Sequence, residues 1–397
     1  MRPVIADEVA LGAPLSWSVF DRNGKLLFVQ GMVIASQAHL DIVLERGMLM
    51  VEAPADNDPM APDMDEWLAA TVDDDEPSAP PPEPEPPVFR LMQQLRRELQ
   101  ALHDALLQRS SDTLGESVLE LADRLHALVA RDADAALAAM QLDVGDDGEV
   151  SRLMHAATLC QMLAQAQHWD EQESRSVVAA ALTFDVALSP VAETLNQQQT
   201  ELTADQREQI AAHPQAGVEL LQAAGVTDAV WLEAVLQHHE RLDGSGYPNG
   251  LPGAAISRGA RMLAIVDIFS AMVRPRAYRE AIHARHALRS LFLKRGKFVD
   301  EALATLLVRE IGVFPPGTPV RLANGEIGVV RRRGVDAARP VVARLINANG
   351  TLAAIATQRD TSQAEYAITE TVPPHKYQVL VAGAGELWCS DRSRLRR

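Results

Sequence analysis

The spacing of apolar residues changes along this 397-residue chain, and each change predicts a different element. In residues 14–50, "LSWSVFDRNGKLLFVQG" places two apolar-rich runs on either side of Asn23-Gly24. Both turn residues tolerate positive φ, so a β-hairpin is predicted. "SQAHLDIVLERG" reads as a short helix and "MLMVE" as a further strand, giving a small α+β module over 1–52. The period then becomes helical. Leu91, Leu95, Leu99, Leu102 and Leu106 recur at spacings of four, four, three and four. After a Ser-Ser-Asp break, Leu114, Val118, Leu121, Leu125 and Leu128 repeat the pattern. These stripes predict a helical hairpin over 89–143, packed on the next domain or, alternatively, serving residues 91–130 as a homodimer seam. Residues 144–312 read as helix after helix. From 313 to 397 the period returns to two, with hairpins expected at Asn324-Gly325 and at Asn349-Gly350. The expected fold class is mainly α, an all-helical domain flanked by small β-containing modules at its N- and C-terminal sides.

Composition alters this picture in one place. Residues 53–88 are rich in acid and proline and offer little apolar surface to offset ordering entropy, so they are expected to be a linker. Twelve acidic side chains and no basic ones fall in 52–85, which reduces the net charge of −17 to an excess of about five elsewhere. Bulk charge therefore says little about the ligand. Cys160 and Cys389 are too few for a disulfide framework or a thiolate metal site, and point to a reducing cytoplasm. No apolar run is long enough to cross a bilayer, and "MRPVIADEVALG" lacks a signal-peptide core.

Candidate chemistry begins where polar residues interrupt apolar helices. Asp185 in "VVAAALTFDVAL" and Asp267 in "RMLAIVDIFSAM" are each lone carboxylates. A buried, ionised carboxylate costs several kcal/mol unless it is paired or binds a cation. The same segment holds His155, His213, His238 and His239. Imidazole nitrogens with carboxylate oxygens suit a divalent transition metal held inside a helical bundle, as against scattered core histidines and helix caps. In "DGSGYPNG", Gly244 and Gly246 allow positive φ or a close approach to a ligand. Arg276 and Arg279, three apart, can share a helix face and offer a fork to phosphate oxygens. Together these features suggest phosphate-ester hydrolysis.

The stretch "HHERLDGSGYPNGL", with "LTADQREQIAAHPQAGVELL", "ARMLAIVDIFSAM" and "RPRAYR", resembles the HD-GYP family of metal-dependent cyclic di-GMP phosphodiesterases. The resemblance covers roughly residues 145–312, and "GTPVRLANGEIGVV" is similar to a small β module that often follows such domains. It implies an all-helical HD-type domain and an iron or manganese centre of one or two ions. Asp185, His238 and His239 would be catalytic. His213, His238 and His239 with bridging Asp185 would hold one ion, and His155, Asp185 and Asp267 the other. Arg276, Arg279, Gly244, Gly246 and Tyr247 would contact cyclic di-GMP or a related dinucleotide. The family's HD pair, followed by Gly-Lys, here reads "FDVAL": Phe184 replaces the histidine and Leu188 stands where the lysine should be. Ser151 stands where a glutamate ligand often precedes His155. Two functions follow from the resemblance. One is a phosphodiesterase with a weakened metal site, and the other a catalytically inactive module that binds a nucleotide or a signalling-protein partner. A different HD-type phosphohydrolase is a third, opposed by the glycine loop and "RPRAYR".

Overall fold

The computed structural model describes residues 87–142, 148–274, 282–353, 356–372 and 385–388, with short stretches among residues 2–49. The chain divides into two compact units, Met1–Glu83 and Pro84–Arg397. In the first, β1 (Arg2–Pro3), β2 (Val19–Phe20), β3 (Leu26–Phe28) and β4 (Met48–Leu49) form an antiparallel sheet of order β1-β4-β2-β3. The pairing of β2 with β3 is the hairpin expected around Asn23-Gly24. The acid- and proline-rich stretch lies outside the described residues except for Pro87 and Val88, where the first long helix begins.

The second unit opens with the two leucine stripes. They become α1 (Val88–Leu107) and α2 (Leu114–Leu142), with Leu95, Leu99, Leu106, Val118, Leu121, Leu125 and Leu128 buried in one core. A buried leucine contributes about 1.5–3 kcal/mol, so most of the drive to pair these helices comes from the stripes. The same core includes residues of the following helices, so the stripes pack within the chain rather than lying open as a seam.

Helix α2 is broken at Asp132 (φ −159°, ψ 89°), and the Asp132 carboxylate accepts the Ala135 amide at 3.0 Å, capping the restarted helix. Arg332 grips the same carboxylate at 2.8 and 3.1 Å, tying the helices to the sheet that follows.

Among the described residues, eight further helices surround the centre: α3 (Glu149–Ala166), α4 (Glu171–Thr183), α5 (Ser189–Gln197), α6 (Ala204–Ala223), α7 (Ala229–Gln237), α8 (Arg258–Met272), α9 (Ala284–Leu293) and α10 (Glu301–Ile311). Side-chain caps set several starts, Asp170 on α4, Asp228 on α7 and a full capping box of Thr203 and Gln206 on α6. Helix α3 is buried on all sides from Val150 to Ala164. That explains its weak amphipathic pattern, because a central helix has no solvent face to keep polar.

The chain then turns to strands β5 (Pro319–Leu322), β6 (Ile327–Arg332), β7 (Val341–Ile346), β8 (Gln358–Asp360) and β9 (Ile368–Thr371). All pairs are antiparallel and the order is β8-β7-β6-β5-β9. Gly325, at φ +90°, turns β5 into β6 as Asn324-Gly325 predicts. The fold is therefore mainly α, with small antiparallel sheets.

Candidate metal centre

Asp185 lies just beyond the C-terminus of α4, in the turn after Phe184. Two contacts from other helices fix this end. His103 of α1 donates from Nε2 to the Leu182 carbonyl at 2.7 Å, and Trp231 of α7 donates from Nε1 to Thr183 Oγ1 at 2.9 Å. The Asp185 carbonyl accepts the Leu188 and Ser189 amides, which starts α5. His213 sits inside α6, while His238 and His239 follow the last turn of α7.

These four side chains converge. Asp185, His213, His238 and His239 each offer a ligand atom within 4.8 Å of the others. His213 Nδ1 donates to the Ile210 carbonyl at 2.5 Å, and His238 Nδ1 donates to the Val235 carbonyl at 2.7 Å. A carbonyl can only accept, so both rings carry their proton on Nδ1 and turn a lone pair on Nε2 inward. Those Nε2 atoms lie 3.2 Å apart and 2.9 and 3.6 Å from Asp185 Oδ1. Asp185 Oδ1 is itself buried and receives no hydrogen bond. Two inward lone pairs facing an unsatisfied carboxylate oxygen leave a cation-shaped gap, and a divalent ion fits this donor set.

Burial pulls the His213 imidazole down, but the adjacent Asp185 carboxylate outweighs burial and raises its pKa. Burial, then neighbouring His238, drive His239 well below the ordinary histidine value and keep it neutral. Asp185 lies well below the usual carboxylate range: burial would raise it, but the charge of Arg152 and the adjacent His213 and His238 imidazoles prevail.

The glycine turn is built against the histidines. A Cβ on Gly246 would lie 2.4 Å from the Arg241 nitrogen and 2.6 Å from the His239 carbonyl oxygen, so this position requires glycine. Gly244 adopts φ +76°. Buried Glu240 accepts the Asn249 and Leu251 amides at 2.7 and 2.9 Å, holding the turn closed. The Tyr247 ring consequently packs 4.6 Å from His239. A cavity of about 510 Å³ opens beside Asp185, His213, His239 and Tyr247, and Leu188 forms part of its wall.

The other two metal candidates are placed differently. The His155 ring lies 5.9 Å from Phe269, its Nδ1 has no partner, and burial with the charge of Arg274 lowers its pKa to about 3. Asp267 accepts a hydrogen bond from buried Arg152, and the same guanidinium bonds Asp185 Oδ2 and Glu149 Oε1. Arg276 and Arg279 lie outside the described residues. Ser151 is bound by two arginines: its hydroxyl accepts from Arg96 at 3.2 Å and its carbonyl from Arg274 at 3.1 Å.

Sequence reasoning missed Arg152 and Glu149. The signal was available, because Arg152 is a lone cation in "EVSRLMHAATLC" just as Asp185 and Asp267 are lone acids.

A profile of the HD domain matches residues 97–303. A cyclic di-GMP phosphodiesterase of Pseudomonas aeruginosa is 31% identical over 230 residues, covering 57% of this chain and 54% of that protein. The cyclic di-GMP phosphodiesterase response regulator RpfG of Xanthomonas campestris is 33% identical over 224 residues, covering 54% of this chain and 58% of that protein. The chain thus spans little more than half the length of these curated relatives. Among solved structures, Bd1817 of Bdellovibrio bacteriovorus aligns over 77% of this chain and 97% of its own, at 14% identity and a TM-score of 0.49.

Proposed function

Because the chain belongs to the HD domain family, we propose that its histidine–aspartate centre holds a divalent cation and hydrolyses a phosphodiester bond of cyclic di-GMP or a related cyclic dinucleotide. The observation that carries this reading is the convergence of two inward imidazole lone pairs on the orphaned Oδ1 of Asp185. The names of the relatives support the substrate class. Iron and manganese both suit imidazole with carboxylate.

A cation at this centre would act as a Lewis acid on a phosphoryl oxygen and acidify an attacking water. The chain's own residues supply the rest. His213 and His238 are held in one tautomer by backbone carbonyls, so no reorientation is needed when a ligand arrives. His239 stays neutral at the cavity wall, available as a ligand. Tyr247 and the glycine turn shape one side of the cavity, whose volume suits a ligand of nucleotide size. Arg276 and Arg279 are proposed to bind the phosphates, on the strength of the sequence alone.

One observation favours a second reading, binding without turnover. Leu188 gives the cavity an apolar wall where the family pattern has lysine, and Arg152 lines the cavity with its fork engaged by three carboxylates. Positive charge beside a scissile phosphate is thereby reduced. The test is direct. The purified chain is loaded with iron(II) or manganese(II) and incubated with cyclic di-GMP and 3'3'-cGAMP, and linear products are separated by chromatography. Metal-dependent product that disappears in His238→Ala supports the phosphodiesterase. A fully loaded protein that binds cyclic di-GMP in calorimetry yet yields no product supports the binding module instead.

A further inference from the structure

Asp185 faces two ways. Its Oδ1 looks toward His213 and His238, and its Oδ2 accepts from Arg152. Arg152 spreads the rest of its fork over Asp267 and both oxygens of Glu149, the Nε contact being 3.3 Å. Its guanidinium carbon also lies 5.0 Å over the Phe184 ring, and that ring meets His238 edge-on at 5.0 Å between centroids. Three carboxylates and one aromatic face therefore enclose a single buried cation supplied by the chain.

We infer that Arg152 is a resident substitute for a second metal ion, so that the centre accepts one ion only. This inference rests on the proposed metal-binding role of the histidine–aspartate set. Three observations converge on it. The position between Asp185 and Asp267, where a bridged second ion would sit, is filled by the guanidinium. Phe184 stands where a nitrogen ligand of that ion would be, and it offers instead a π-face, which attracts a guanidinium. His155, the remaining nitrogen candidate, is absent from the group of convergent ligand atoms found among the described residues. Loss of a ligand and gain of a cation are thus two sides of one replacement: phenyl and guanidinium stand in for imidazole and metal.

The charge balance agrees. A guanidinium is cationic throughout the working range, and Glu149, Asp185 and Asp267 all accept hydrogen bonds from Arg152. Its removal would leave buried Asp185 and Asp267 and half-buried Glu149 without their shared cation, an arrangement that recruits a divalent cation.

The test uses the whole chain, stripped of metal and reloaded with excess manganese(II), with metal per folded chain read by elemental analysis and spin coupling by electron paramagnetic resonance. The wild type is expected to hold one magnetically isolated manganese. Arg152→Ala is expected to rise to two, with an exchange-coupled spectrum and a larger upward shift of unfolding temperature on manganese addition. Arg152→Lys, which keeps a cation, is expected to stay at one. Two coupled ions in the wild type would overturn the inference and leave the metal-centre reading intact, and this arm stands even where Arg152→Ala does not fold. A folded Arg152→Ala that remains at one ion would also overturn it. A wild type and variants that all bind none would instead overturn the metal-centre reading, and the inference with it.

Discussion

The two sides of Asp185 are built from similar polar groups and are completed in opposite ways. On one side, inward lone pairs of His213 and His238 face the bare Oδ1, a donor set that on the proposed reading takes a cation from outside the chain. On the other, Glu149, Asp267 and Oδ2 are satisfied by Arg152 from within the chain. The difference teaches that a metal-type donor set is recognised by what remains unsatisfied. Carboxylates alone do not mark an ion site, because a guanidinium on a neighbouring helix turn can complete them.

The largest expected effect comes from removing the shared residue. Asp185→Ala should abolish metal binding by elemental analysis and also destabilise the fold, since it takes one partner from each side. Retained stoichiometric metal would break the comparison at its centre.

Next come paired substitutions that affect one side each. His238→Ala should weaken manganese affinity by about 100-fold or more, because on the proposed reading it removes a coordinating nitrogen whose orienting partner alone would be worth about 10–100-fold. Asp267→Asn should leave metal stoichiometry unchanged and lower unfolding stability by about 3 kcal/mol, the low end for breaking a buried ion pair, since Arg152 keeps two other carboxylates. Equal loss of metal in both variants would show that the sides are not distinct.

A smaller effect is expected from restoring the family pattern. On sequence alone, Phe184→His with Leu188→Lys rebuilds the second donor set and returns charge to the phosphate. The structure changes that expectation, because Arg152 still fills the position. The double variant should remain at one ion per chain, and two ions in it would show that phenylalanine, not arginine, excludes the second.

The fold was legible where its signals were local. The leucine stripes and the Asn-Gly turns act within a few residues, and α1, α2 and the hairpin of β5 and β6 follow them. Asp185 was legible because a lone carboxylate in an apolar run needs a partner, and His213, His238 and His239 because ligand-type histidines share its segment in motifs that resemble the HD-GYP pattern. Arg152 was not found, since its partners Asp185 and Asp267 lie 33 and 115 residues away and only the tertiary fold brings them together. The break at Asp132 was hidden for a similar reason: the apolar pattern runs on, and the force holding the break comes from Arg332 on a distant strand.

The smallest effect tests whether an arginine–carboxylate cluster can be purely structural. In the C-terminal sheet the proportions are reversed, one carboxylate between two arginines. Glu326 accepts from Arg359 at 2.7 and 2.9 Å and from Arg344 at 3.3 Å, and the Arg359 bonds above all bring its pKa down to about 2. A carboxylate depressed in the folded state stabilises above its ordinary unfolded value, near 4.5, and loses that contribution as pH falls toward 2. Thermal unfolding of the wild type should therefore drop through this window more steeply than that of Glu326→Gln, while manganese binding at neutral pH stays the same in both. Parallel pH profiles would contradict the assignment.

The most direct measurement is anomalous X-ray diffraction at the manganese edge from crystals of the metal-loaded wild type. The account predicts one anomalous peak, enclosed by Asp185, His213, His238 and His239, with guanidinium density between Asp185 and Asp267. Two peaks bridged by Asp185, with the Arg152 side chain displaced, would contradict it.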